Sequence, residues 1–180
     1  MKKLTLLAIG FAILPAAALA APPRALYGKH FKVTWTETRS QRLAGQGAFR
    51  PVSIPYAYTV YVGTEGTVFK RMFVVSSTGK TSGAQDRVGT KPSGSVSANT
   101  ANFSGNTLTA TSSFGGAARR MQITFDGNFS SCSAQVVTAK LASEKSATIK
   151  SIASGAMIEF ESVSAGAASC SVGPGNPFAN

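Results

Sequence analysis

Residues 119–140, RRMQITFDGNFSSCSAQVVTAK, constrain the fold more than any other stretch of the chain. Two runs of alternating apolar and polar residues flank Asp126-Gly127, a dipeptide that accepts the positive φ values of a tight hairpin turn. With that pair at the tip, Phe125 faces Asn128, Ile123 faces Ser130 and Met121 faces Cys132. One face then carries Met121, Ile123, Phe125, Cys132, Ala134 and Val136, and the other Gln122, Thr124, Ser133 and Gln135. Side chains alternate across a strand, so this pattern predicts an antiparallel pair with one side in a core.

The same period recurs elsewhere. In Lys29–Arg39, Phe31, Val33 and Trp35 share a face with Glu37 and Arg39, while Lys32, Thr34, Thr36 and Thr38 take the other. Leu43–Pro55, with two glycines and two prolines, reads as a loop. Tyr56–Val62 and Thr67–Val75 form a hairpin around Gly63–Gly66, with Tyr56, Tyr58, Val60 and Val62 on one side and Tyr61 at a rim. Residues 76–95 are polar and read as a flexible loop. Phe103 and Leu108 flank a Ser104-Gly105-Asn106 turn, and Ala156–Val163 and Ala165–Val172 read as two further strands. Leu141–Ile152 has the only helical spacing, enough for one or two turns. The expected fold is all-β: an antiparallel meander of about eight or nine strands in a barrel or sandwich, with one short helix at most.

Residues 1–20 read as an export signal. Lys2 and Lys3 precede an apolar run from Leu4 to Leu14, and Ala18-Leu19-Ala20 supplies the small residues of a cleavage site. A single domain over residues 21–180 follows, expected in the periplasm or outside the cell. No later stretch is apolar for long enough to form a membrane-spanning helix. In that compartment the only two cysteines, Cys132 and Cys170, are expected to pair as a disulfide worth roughly 3–4 kcal/mol through loop closure.

The charge is lopsided. Arg24–Lys91 holds 11 basic and 3 acidic residues, whereas Pro92–Asn180 holds 5 and 4. A basic first half suits an anionic partner such as lipopolysaccharide, an acidic polysaccharide or another polyanion. The candidate anion-binding residues are Lys29, Lys32, Arg39, Arg42, Arg50, Lys70 and Arg71, together with Arg119 and Arg120. Arg119 and Arg120 put one charge on each strand face, and the inward one is a candidate anchor for an acidic ligand. The aromatics among the basic residues occupy the core face, which argues against a stacking site for specific nucleic acid.

Catalytic constellations are weakly represented. His30 is the only histidine and no G-x-S-x-G or H-E-x-x-H occurs. One histidine and two bonded cysteines fall short of a zinc site. Glu159 and Glu161 share a face but read as a solvent-facing pair. No Gly-rich loop opens a helix. No enzyme activity, metal or cofactor is therefore expected.

Several segments taken together resemble a group of small exported proteins of Gram-negative bacteria. They are Tyr27-Gly28-Lys29 before the Trp35 strand, Arg39 with Gln41-Arg42, Val60-Tyr61-Val62, Phe69-Lys70-Arg71, Arg120-Met121-Gln122-Ile123, Phe125-Asp126, Ser131-Cys132 and Ser169-Cys170-Ser171-Val172 before Gly175-Asn176. The resemblance covers most of residues 21–180. It implies an export signal and a cysteine pair, and it transfers no activity or site. The leading expectation is a non-enzymatic β-domain that binds an anionic envelope or extracellular partner. A lipocalin-like barrel carrying a small apolar or acidic ligand is the second reading, and a small outer-membrane barrel the third.

Overall fold

The computed structural model describes residues 21–75, 81–88, 101–114, 116–141, 147–151 and 154–179. The export segment expected at residues 1–20 lies outside them. A 3-10 turn at Arg24–Leu26 leads into β1 (Lys29–Leu43), β2 (Arg50–Val62), β3 (Val68–Val75), β4 (Thr81–Val88) and β5 (Ala101–Ser104). Then follow β6 (Thr107–Phe114), β7 (Ala117–Phe125), β8 (Cys132–Leu141), β9 (Ala147–Lys150) and β10 (Met157–Pro174). Six strands in the order β4-β3-β2-β1-β10-β9 make one sheet, and β5-β6-β7-β8 make the other. Adjacent strands are antiparallel throughout. Among the described residues no backbone ladder joins the two sheets, so the fold is a sandwich and not a closed barrel.

Alternation explains which side faces in. Phe31, Val33 and Trp35 of β1 and Tyr56, Tyr58, Val60 and Val62 of β2 are buried with Leu108, Met121, Ile123 and Phe125 of the second sheet. The Phe31 and Phe125 rings meet edge to face, 5.1 Å between centroids. Each such fully buried side chain contributes roughly 1.5–3 kcal/mol by leaving water. Outward positions are polar: Lys32, Thr36 and Thr38 on β1, and Gln122, Thr124, Ser133 and Gln135 on β7 and β8 are exposed. A membrane barrel has the reverse pattern, with its apolar band outside.

Cys132 opens β8 and Cys170 lies on β10, and the two form a disulfide with their Cα atoms 5.4 Å apart. It ties the edge of one sheet to the other where no ladder does.

The hairpin at Asp126 departs from the expected two-residue turn. Phe125 pairs with Cys132, Ile123 with Ala134 and Met121 with Val136. The Asp126 carboxylate accepts from the Ser130 amide (2.7 Å) and hydroxyl (2.5 Å) and from the Ser131 amide (3.3 Å), which stabilises a wider loop. Phe129 takes the positive φ of 53°. The slip from the expected register is an even number of residues, so every side chain keeps its face.

Other boundaries also differ. Arg50–Pro55, expected as loop, begins β2; among the described residues this part of β2 pairs with β1 alone, which suits the missing N–H of Pro51 and Pro55. Within the polar stretch 76–95, residues 81–88 form β4 against β3, and the rest lies outside the described residues. The helix expected within 141–152 is replaced by the end of β8 and by β9, which pairs with β10; residues 142–146 and 152–153 lie outside the described residues. The two strands expected over 156–172 are one bulged strand, β10.

Candidate ligand-binding face

The inner and outer rows of β1 separate the charged residues. On the inner row, Glu37 and Arg39 follow Trp35 into the interior, at 0% and 1% exposure. Arg119 of β7 reaches the same place from the opposite sheet, at 3%. Its Nε donates to Glu37 Oε1, its Nη2 to Glu37 Oε2 at 2.8 Å and its Nη1 to the Ala117 carbonyl at 2.9 Å. Arg39 Nη2 donates to Glu37 Oε2 (3.2 Å) and to the Tyr56 hydroxyl (2.5 Å), and Trp35 Nε1 donates to Glu37 Oε1 (3.1 Å).

Rings enclose the group. Arg39 lies 4.6 Å from the Phe160 centroid and 5.4 Å from that of Tyr56, while Arg119 lies 4.7 Å from Tyr56 on a ring that also stacks on Trp35. Gly116, at φ 72°, makes room for Phe160: a Cβ there would come within 2.6 Å of the ring. Burial pushes the Glu37 carboxyl up, but the hydrogen bonds and charges of Arg119, Trp35 and Arg39 outweigh it and hold the group below 4.5. Burial pushes the Tyr56 phenol up against the opposing pull of the two guanidinium groups.

Three of the predicted anion-binding residues lie inside the molecule, two of them in this network. Arg39 and Arg119 are engaged by Glu37, and Lys70 is buried at 3% on β3, in register with Asp86 of β4. Arg119 is the inward member of the Arg119-Arg120 pair, and Arg120 is exposed on the outer face of the four-stranded sheet. The remaining residues are dispersed. Lys29 donates to the Phe129 carbonyl at 3.1 Å. Arg42 pairs with Glu159 (3.0 Å) and lies 4.4 Å from the Phe49 centroid. Arg50 is exposed at the start of β2, opposite Gln41. The nine residues therefore do not form one patch.

Two of them do come together. Lys32 pairs with Thr59 and Thr59 with Arg71, so the two cations share one cross-strand row on the outer face of the six-stranded sheet. Arg71 is steadied by the C-terminal Phe178, its guanidinium 5.2 Å from the ring centroid. Beside this row an open groove of about 550 Å³ crosses the sheet. It lies at the step where β3 ends at Val75 and β10 bulges through Gly166 and Ala167, and Lys32, Thr34, Thr36 and Ser169 line it. The Thr34 and Ser169 hydroxyls are 2.7 Å apart. The period of β1 placed Thr34 and Thr36 outward, but the β10 bulge that shapes the groove has no local sequence signal beyond Gly166.

The residues weighed for catalysis are each bound to neighbours. Arg42 holds the Glu159 carboxyl below its ordinary value chiefly by a hydrogen bond, and Glu161 accepts from the Ser40 hydroxyl at 3.0 Å. His30 Nδ1 lies 3.0 Å from the Gly175 carbonyl. Among the described residues no cluster of three or more His, Cys, Asp or Glu side chains suits a metal ion, and no helix is long and apolar enough to cross a membrane. No family model, curated protein or solved structure matches the chain.

Proposed function

We propose that the protein is a non-enzymatic binding domain whose six-stranded sheet presents its outer face to an anionic polymer of the cell envelope or the extracellular space. The observation that carries this reading is the Lys32–Arg71 row beside a groove whose mostly apolar lining includes the hydroxyls of Thr34, Thr36 and Ser169. Its volume falls within the roughly 300–1,000 Å³ of ligand clefts. An open groove crossing strands suits a chain that runs through it better than an enclosed small molecule. The cations supply attraction, and Thr34, Thr36 and Ser169 supply hydroxyl donors and acceptors. The expected export signal at residues 1–20 fits an encounter outside the cytoplasm.

The test is binding of the protein to polyanions at low and moderate salt, with Lys32→Gln/Arg71→Gln and, as a control on the opposite sheet, Arg120→Gln. At about 1 kcal/mol per cation at an anionic surface, the double variant should lose roughly ten- to thirtyfold in affinity. Arg120→Gln should stay close to wild type. Equal loss in both would assign the binding to net charge and sink the reading.

A further inference from the structure

The tip of the β2–β3 hairpin carries a second feature on the same outer face. Tyr61 and Phe69 are register partners, both half-exposed, with rings 26° from parallel and centroids 6.2 Å apart. They border a recess of about 380 Å³ whose other walls are Gly63, Thr64, Glu65 and Thr67. Gly63 forms its floor: an added Cβ would lie 3.3 Å from the Thr67 carbonyl, 3.8 Å from Phe69 and 4.0 Å from Tyr61. A side chain at 63 would fill the space that the glycine leaves under the rings.

We propose that this recess is a sugar subsite, and that the anionic polymer of the reading above, on which this inference rests, is a uronic-acid polysaccharide. Aromatic faces carry negative quadrupole density, and a pyranose ring offers a face of polarised C–H groups to meet it. Its hydroxyls then need directed partners, which the Thr64 and Thr67 hydroxyls and the Glu65 carboxylate provide. The spacing joins this subsite to the cationic row. Tyr61 stands two residues from Thr59, roughly 7 Å along β2, and Thr59 lies between Lys32 and Arg71. A sugar unit seated on the rings therefore directs the carboxylates of neighbouring units towards those two cations. A phosphate polymer would use the cations but not the recess, because it has no ring face for Tyr61 and Phe69 and no hydroxyls for Thr64, Glu65 and Thr67. Single-stranded DNA also stacks on aromatic rings but offers few sugar hydroxyls for Thr64, Glu65 and Thr67 to bind.

The experiment titrates the folded protein with sodium polygalacturonate, polyphosphate and oligo(dT), matched in charge, at moderate salt. Polygalacturonate is expected to bind most tightly. Phe69→Leu, which keeps apolar bulk but removes the flat ring, should weaken that binding roughly three- to tenfold and leave polyphosphate unchanged. Thr64→Val, exposed in the turn, should weaken it in the same direction and tests the recess without touching the rings. Equal binding of polygalacturonate and polyphosphate, with neither variant having an effect, overturns the sugar subsite and leaves the anionic-polymer reading standing. Tightest binding of oligo(dT) overturns the polysaccharide assignment. Absence of binding to all three overturns both.

Discussion

Along β1, Glu37 and Arg39 turn into the sandwich while Lys32 turns out of it, and charge has different consequences on the two sides. Inside, one carboxylate is shared between Arg39 and Arg119 among Trp35, Tyr56 and Phe160, with water excluded. Charges held this way fix the relative position of two sheets. They need not raise stability, because desolvation offsets their mutual attraction. Outside, Lys32 keeps its hydration and faces solvent beside a groove. The lesson is that a basic composition divides by strand parity into cations that organise the fold and cations that can meet a partner.

Removing the shared carboxylate should be the harshest way to break this division. Glu37→Ala leaves Arg39 and Arg119 buried without it, and an unfolding loss of about 3–5 kcal/mol is expected in urea melts. Replacing the three charged residues, as Glu37→Leu/Arg39→Met/Arg119→Met, should cost clearly less than Glu37→Ala, because it removes the desolvation cost along with the attraction and takes away only the Trp35 N–H and Tyr56 hydroxyl bonds to the group. If the triple variant is as unstable as Glu37→Ala, the network adds net stability and the comparison must be redrawn.

The disulfide comes next in size. Cys132→Ser/Cys170→Ser should lower stability by roughly 3–4 kcal/mol through the freed unfolded chain, measured by the same melts.

Acid should act on the inner face by a smaller, graded amount. The Glu37 carboxyl is held below 4.5 in the folded state, so its contribution is complete above that pH and declines as pH falls through the folded value. The Tm of wild type should therefore drop more steeply than that of Glu37→Gln below about pH 4.5. Asp126, held at about 2 chiefly by the Ser130 hydroxyl, adds its own acid dependence, which Asp126→Asn removes without affecting the Glu37 difference. The smallest change is expected on the outer face, where Lys32→Gln should alter stability by no more than about 0.5 kcal/mol while weakening polyanion binding.

Much of this division was legible in the chain. Period-two alternation put Phe31, Val33, Trp35, Glu37 and Arg39 on one face of β1 and Lys32, Thr34 and Thr36 on the other, as found. The even slip in the Asp126 loop preserved the faces of β7 and β8 although the turn was longer than expected. Cys132 and Cys170 were legible as a pair because few chemistries suit two isolated cysteines with no histidine nearby in a chain expected to be exported. What parity could not supply was the partner across the sandwich. Nothing near Glu37 in sequence announces Arg119, 82 residues away, and so Arg39 was counted among the surface cations. β4 has few apolar residues to mark a face, whereas β9 is only four residues long and its Ile149 also fits a helical spacing with Leu141, Ala142 and Ile152. They read as loop and helix for these two different reasons. The groove depends on where β3 stops and β10 bulges, which are properties of pairing and not of either segment alone.

The most direct measurement is an amide chemical-shift titration of the isotopically labelled protein with short polygalacturonate chains. The account predicts shifts concentrated on the outer face of the six-stranded sheet, at Lys32, Thr34, Tyr61, Phe69, Arg71 and Ser169, with Gln122, Thr124 and Gln135 of the other sheet unmoved. Shifts centred on the four-stranded sheet, or spread evenly over exposed lysines and arginines, would contradict it.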